Sequence, residues 1–439
     1  MNHLIGEVID YSHEGLGVVK IDDYVYFVND VLNDEIIEFV VIKKKKKYGF
    51  GKLIRIIKKN INRQQYPCLY EECPSCNLRN LNYQEQINFK KQAIINTYQK
   101  ANLNYNKINF ISNDYIYNYR NKIILHFKQD NKTIKLGYYH NKDIISINKC
   151  LLVNETINEF INDFNKIINN YPVSIYDKIN KKGLLKHLVV RVNYENKLLI
   201  GIIINSNKIS KELQSLIDEI SNIKNVISIV VSFNELHNSI ILSNNNKIMF
   251  GKGYFIDKIL TYQFRISLNS FFQINSHMIS KLYLTAINNA HLTKNDIVLD
   301  AYCGTGTIAI LLSKYVRKVI GVDVVSDAIK DANYNKELNN IDNVDFINQD
   351  INDYLDDFDK EINCLVIDPP RLGIDHKFID LIIEHKINKI VYISCNGASQ
   401  SRDIKLLIEN GYEINSVTGV DMFSNTYHTE IISILERKL

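Results

Sequence analysis

The sequence predicts an α/β protein in three successive parts: a small β-barrel, a mixed α+β middle and a Rossmann-like sheet of parallel strands. Three observations carry this reading. Short apolar–polar alternations broken by Gly and Asp fill residues 1–58, helix-like and strand-like runs intermix over residues 59–280, and residues 281–439 open a regular strand–helix succession behind a glycine-rich turn. At 439 residues, 46% hydrophobic and 23% charged, the chain can bury two or three cores. The first residues, MNHLIGEVIDYSHEGLG, lack a basic stretch followed by an apolar core, and no window approaches the ~18 apolar residues of a membrane span. The expectation is a cytoplasmic protein with no membrane partner.

In the first part, LIGEVIDY, GLGVVKI, YVYFVND, EIIEFVVIKK and GFGKLIRIIKK have the length and spacing of strands in an OB-like barrel. The net charge is only +4, so any nucleic-acid footprint must come from local clustering. Lys43, Lys44, Lys45, Lys46 and Lys47, followed by Tyr48 and Phe50, form such a cluster. They read either as a solvated hairpin or as an RNA-facing edge, with lysines on phosphates and aromatics available for stacking.

Seven unevenly spaced cysteines do not suit a secreted disulfide framework. Cys68, Cys73 and Cys76 form a C-x4-C-x2-C cluster in YPCLYEECPSCNLRN, and Cys150 follows in SINKCLLVN. Four such thiols suit a structural zinc or an iron–sulfur cluster, and three ligands in one loop with a remote fourth favour 4Fe–4S. The spacing is one residue from the C-x3-C-x2-C of radical enzymes, but the fourth cysteine and a later ligand crevice speak against that class.

From residue 281 onward, five strand-like runs each end in a polar or reactive residue: Asp300, Asp323, Asp350, Asp368 and Cys395. In an open α/β sheet such ends line one crevice at the carboxyl edge. Within LDAYCGTGT, Asp300 precedes Gly304 and Gly306, and this turn differs from the G-x-G-x-x-G of dinucleotide sites. Glycines admit a ligand close to the backbone, while Asp300 and Asp323 suit a cation and ribose hydroxyls. These features point to S-adenosyl-L-methionine, with a nicotinamide dinucleotide as the alternative. Asp300, Gly304, Asp323, Asp350 and Asp368 are the candidate cofactor-binding positions.

A free cysteine is commonly a small buried hydrophobe, and Cys303 and Cys364 read that way. Cys395, at the end of VYISCN, has a chemical alternative. Carbon 5 of uracil is too weakly nucleophilic to attack a sulfonium methyl unaided. Thiolate addition at carbon 6 makes it nucleophilic, and a base must afterwards remove the carbon 5 proton. Cys395 supplies the thiol, and Glu430 in VDMFSNTYHTE supplies the carboxylate.

The motifs SLNSFFQIN, LDAYCGTGT, IDPPRLG, YISCN and VDMFSNTYHTE, in this order, resemble RNA 5-methyluridine methyltransferases. The resemblance covers the whole chain and is nearest to the 23S ribosomal RNA (uracil-5-)-methyltransferases with a TRAM barrel and a 4Fe–4S cluster. It implies Cys395 as nucleophile and Glu430 as base, Gln273, Tyr302, Asp323 and Asp368 at the cofactor, and Cys68, Cys73, Cys76 and Cys150 on the cluster. Arg120 in YRNK and Arg191 in VVRVN resemble the family's RNA-contact segments, and each reads equally as a solvated salt-bridge partner. The implied partner is ribosomal RNA before or during subunit assembly, bound by a monomer with no DNA partner. The transfer RNA T-loop is the alternative substrate. A non-catalytic iron–sulfur RNA-binding protein is a further alternative, but it gives no reason for Cys395 and Glu430 together. The chain departs from the family in its first cysteine spacing, in Asp323 where glutamate is common, and in Gly397 where proline usually follows SCN.

Overall fold

The structure is a computed structural model that describes residues 3–131, 133–140, 143–236, 238, 240–358 and 361–438. Strands β1 (His3–Tyr11), β2 (Gly17–Ile21), β3 (Tyr24–Val28), β4 (Ile36–Lys44) and β5 (Tyr48–Lys58) close into a barrel in the order β1-β2-β3-β5-β4. Their alternation sends Val8, Val19, Tyr26, Val28, Ile37 and Phe39 inward as its core. Closure leaves no free edge for pairing with another chain.

The middle of the chain forms α1 (Tyr83–Lys100), β6 (Ile108–Ile111), β7 (Lys122–Asp130), β8 (Thr133–His140), β9 (Asp143–Ser146) and α2 (Glu155–Ile167). It continues through β10 (Leu185–Val192), β11 (Leu198–Ile204), α3 (Lys211–Ile220), β12 (Val226–Phe233) and β13 (Asn246–Phe250). Seven of these strands make one sheet, β13-β12-β11-β10-β7-β8-β9. Leu125, Phe127, Leu188 and Val190 on one face meet Phe160 and Phe164 of α2 and Leu213 and Leu216 of α3. Val189, Leu199 and Ile203 on the other face join the core of the C-terminal part. A sheet covered on both faces explains why these strands read as near-continuous apolar runs.

The remainder comprises the hairpin β14 (Tyr254–Ile259) and β15 (Tyr262–Ser267), then α4 (Ile279–Asn289), β16 (Ile297–Ala301), α5 (Thr307–Leu312), β17 (Lys318–Asp323), α6 (Ser326–Leu338) and β18 (Val344–Asn348). It ends with α7 (Ile351–Asp356), β19 (Cys364–Ile367), α8 (His376–Glu384), β20 (Lys389–Ser394), α9 (Gly397–Glu409), β21 (Tyr412–Val420) and β22 (Glu430–Arg437). The sheet order is β18-β17-β16-β19-β20-β22-β21-β6. Strands β16 to β20 are parallel, whereas β22 runs antiparallel between β20 and β21. That reversal positions the site: Ser394 pairs with Ile431, so the end of β20 and the start of β22 bring Cys395 beside Glu430.

Strand β6 lies in the middle of the sequence but completes the C-terminal sheet, with Ile108 in parallel register with Val417. A boundary near residue 281 therefore divides the sequence but not this sheet. Helix α1 accompanies β6, and its fully buried Lys90 places Nζ 2.5 Å from Asp421 and 3.1 Å from the Phe423 carbonyl. No helix of the described residues is long and apolar enough to cross a membrane.

Removing one partner of a buried ion pair strands the other charge, at a cost of about 3–5 kcal/mol. Lys90→Ala should destabilise the protein by that order in chemical denaturation. Lys90→Met combined with Asp421→Asn should recover part of the loss, because the amide can still accept from Tyr83 and Ser424, whose hydroxyls donate to Asp421 in the parent.

Candidate active site

The crevice lies along the carboxyl ends of β16, β17, β19 and β20. Asp300 is fully buried near the end of β16, and apart from a loose approach by the Ala309 amide neither carboxylate oxygen has a hydrogen-bond partner. Burial, with Asp368 adding, pushes its carboxyl well above the usual range. An orphaned buried carboxylate of this kind suits a cationic or hydrogen-bond-donating ligand.

The turn after β16 reverses through left-handed backbone at Tyr302 (φ 62°), Gly304 (φ 54°) and Gly306 (φ 80°). A Cβ on Gly306 would lie 2.4 Å from the Phe346 ring, whereas one on Gly304 would meet nothing within 4 Å. Gly306 thus serves close packing, and Gly304 leaves open space where a ligand can approach. The Gly304 amide donates to Asp323 Oδ2 at 2.9 Å and the Val325 amide to Oδ1 at 2.8 Å. Asp323 is fixed at the tip of β17 with a further lone pair on each oxygen. Asp350, beyond β18, is exposed and caps α7 by accepting from the Asn352 amide at 2.9 Å. Its carboxylate is engaged in holding the helix start.

Cys395, Glu430 and Asp368 form one electrostatic group with Arg371. Burial raises the Cys395 thiol; Glu430 raises it further, and Arg371 opposes by charge and hydrogen bonding. Glu430 is buried, one oxygen lacks a partner, and burial together with Asp368 lifts its carboxyl to about 8. Asp368 is itself lifted to about 7 by burial. Like charges in one buried site disfavour joint ionisation, which is why Asp368 adds to the rise at Glu430. Across the site, Tyr283 of α4 is buried among Gln273, Asp300, Asp368 and Glu430.

The loops carrying these groups are tied together. Asn396 Oδ1 caps α9 by accepting from the Ala398 amide at 3.1 Å, while its Nδ2 donates to the Arg371 carbonyl at 2.8 Å. Gly397 holds the first helical position, where the family's proline would fit, and the Asn396 cap closes the turn without it.

Sequence reasoning missed Arg371 and Tyr283. Arg371 had a usable signal, a lone cation in the quoted IDPPRLG loop at the end of a strand. Tyr283 had none, because it reads as one more apolar position on the buried face of α4. Arg191, expected at the RNA, is instead 3% exposed, and its guanidinium donates to the Ser270 carbonyl. It braces the segment leading to Gln273 and offers no free charge to solvent. Arg120 is half-buried with an unpartnered Nε, and Lys43 to Lys47 are exposed around the hairpin between β4 and β5. Cys303 and Cys364 are buried.

Cys68, Cys73, Cys76 and Cys150 are half-buried, unpaired, and line one small cavity with Tyr66, Arg79 and Tyr138. Burial pushes the Cys76 thiol to about 12, and the neighbouring Cys150 adds to it. Among the described residues no three such groups stand at single-metal spacing. The cavity gathers four sulfur donors, a set that zinc and iron–sulfur sites share.

A family model for tRNA (uracil-5-)-methyltransferase matches residues 82–438. A Staphylococcus aureus protein named as an RNA methyltransferase is 37% identical over 99% of this chain and 98% of its own, and a Staphylococcus epidermidis protein of the same name is 34% identical over 99% and 97%. Among solved structures, a Pyrococcus abyssi tRNA (uracil-54, C5)-methyltransferase in complex with S-adenosyl-L-homocysteine superposes with a TM-score of 0.82. It covers 98% of this chain and 99% of its own at 24% identity, a likeness of fold that includes the small barrel. The chain therefore belongs to the tRNA (uracil-5-)-methyltransferase family of RNA methyltransferases.

Proposed function

We propose that the protein methylates carbon 5 of uridine in 23S ribosomal RNA, with Cys395 as nucleophile and Glu430 as base. The observation that carries the reading is the antiparallel register that brings the two side chains together beside the crevice. Bound there, S-adenosyl-L-methionine supplies an electrophilic methyl on a sulfonium, and Asp300, Asp323, Asp368, Tyr302, Gly304 and Gln273 would hold it. Asp350 contributes at most through the α7 cap.

The Cys395 thiolate adds to carbon 6 of uracil, and the ring's double-bond electrons shift to give an enolate. The adduct, with Cys395 still bonded to carbon 6, presents carbon 5 as the nucleophile toward the sulfonium methyl that the bound cofactor would supply, the S–CH3 electron pair being left on the cofactor sulfur. The Glu430 carboxylate then removes the carbon 5 proton, the double bond re-forms, and the Cys395 thiolate leaves. Arg371 favours the ionised form of both groups by its charge. The thiolates of Cys68, Cys73, Cys76 and Cys150 would hold a 4Fe–4S cluster that takes no part in these steps.

Ribosomal RNA is supported by the motif resemblance. The transfer RNA T-loop is the second reading, because the family and the archaeal neighbour are both named for tRNA. Mapping 5-methyluridine in both RNAs from a deletion strain separates them, since the position lost on deletion identifies the substrate.

Cys395→Ala should abolish turnover and leave S-adenosyl-L-methionine affinity nearly unchanged, as measured by calorimetry; methylation at the parental rate would exclude the thiol. Glu430→Gln should transfer the methyl but stall before elimination, so a protein–RNA adduct should persist on denaturing gels.

Activity of the free enzyme requires both Cys395 and Glu430 deprotonated. Because both are raised, Glu430 to about 8, kcat/KM should climb with pH through that value. A cationic cofactor favours the carboxylates, so the profile of kcat should lie at lower pH than that of kcat/KM. Arg371→Met should move both profiles to higher pH.

Anaerobically purified protein should be brown and contain about four irons per chain. Tightly held zinc without iron would replace the cluster while keeping the ligand set.

A further inference from the structure

Between the barrel and the loop that carries Glu430 lies an open groove of about 580 Å³, lined by residues that include Glu14, Phe27, Phe50, Asn77, Arg120 and His428. This volume is in the range that accommodates a small organic ligand. Its barrel wall is aromatic. Phe27 on β3 and Phe50 on β5 stand outside the barrel's own core and form with Tyr48 a cluster whose ring centroids lie 5.7–5.9 Å apart. Closing the barrel does not require these rings.

The opposite wall belongs to the catalytic half. His428 lies two positions before Glu430, and the charges of Arg371 and Arg120 both act on its ring, which fixes the groove beside the reacting groups. Arg120 lines the groove with a buried Nε that has no hydrogen-bond partner, and its charge also acts on the Cys76 and Cys150 thiols. A cleft with two aromatic rings on one wall and an arginine in its lining complements a nucleotide, whose flat base can stack while its phosphate meets the cation.

We propose that the groove takes an unpaired base of the RNA strand adjoining the target uridine, stacks it on Phe27 and Phe50, and sets its phosphate toward Arg120. The barrel is then a wall of the substrate site. The inference rests on the RNA methyltransferase reading and extends it to a second nucleotide.

The test uses the full-length protein and single-stranded RNA of about a dozen nucleotides, within the range a single-strand site covers. A 2-aminopurine is stepped through the positions flanking one uridine, and fluorescence is read on binding. At one flanking position the parent should quench the probe. Phe27→Ala/Phe50→Ala should abolish the quench and weaken binding about tenfold, the scale of one lost base–aromatic stack. Phe27→Leu/Phe50→Leu keeps apolar bulk and should lose the quench too, which separates stacking from folding. S-adenosyl-L-methionine affinity should be unchanged in both variants.

Absence of quenching at every position, or parental affinity and quenching in the leucine variant, would overturn the groove as a base site; binding of a protein segment there would appear as the first result. Loss of methyl transfer by the parent protein to any RNA would instead defeat the catalytic reading, so the two failures remain distinct.

Discussion

The fully buried Lys90–Asp421 pair is the constraint on which the catalytic geometry depends. Burial lowers the Lys90 ammonium and the Asp421 carboxylate opposes the drop, so each partner depends on the other for its charge. The pair joins α1, from the N-terminal half, to the loop between β21 and β22 that ends at Glu430. Other contacts repeat the connection. Gln86 and Asn425 exchange hydrogen bonds at 2.9 and 3.1 Å, Tyr119 donates to the Ser424 carbonyl at 3.0 Å, and Asn425 donates to the Ile116 carbonyl at 2.9 Å. Asn425 holds a left-handed φ of 67°, a conformation that asparagine tolerates better than most residues. The loop before the proposed base is therefore held by residues more than 300 positions earlier.

A rigid loop matters because the crevice is electrostatically unfavourable on its own. Asp300, Asp368 and Glu430 all have raised carboxyls, and burial is the first cause in each. Arg371 is a nearby cation opposing that tendency at Glu430. Such a concentration of buried acid is strained without a ligand and relieved by a positive one. The same burial that suits a positively charged ligand raises the Cys395 thiol and the Glu430 carboxyl, so a bound cation would favour their ionised forms. The fixed loop holds Glu430 at the start of β22 beside this group.

Much of this was legible because α/β sheets put chemistry at strand ends. The glycine turn, Asp323, Asp368 and Cys395 all follow apolar strand runs, and the structure sets them along one edge. What a linear pattern does not carry is strand order. Four-residue β6 pairs with β21 across three hundred residues of sequence, and no local periodicity announces such a partner. Arg191 shows a second limit. Its VVRVN segment resembles an RNA-contact segment, but the sheet is covered on both faces, and Arg191 lies buried against the Ser270 carbonyl. Asp350 illustrates a third: a strand-end aspartate serves equally well as a helix cap, and composition does not distinguish the two.

The cysteine loop acquires its meaning from what stands on either side. Arg79 at its end donates to Asp30 of the barrel at 2.9 Å, and the adjacent Leu78 amide donates to the Asn425 carbonyl at 3.1 Å. On the barrel side, Arg63 pairs with the buried Glu35 through Nε at 2.6 Å. One short segment thus links the barrel to the loop before Glu430, with no long flexible connection between them. A thiol-bound cluster in the cavity behind that segment would restrain Cys68, Cys73 and Cys76 against Cys150 and so stiffen the junction. A group so bound would act mechanically: it would fix the distance between the barrel's aromatic wall and the proposed base.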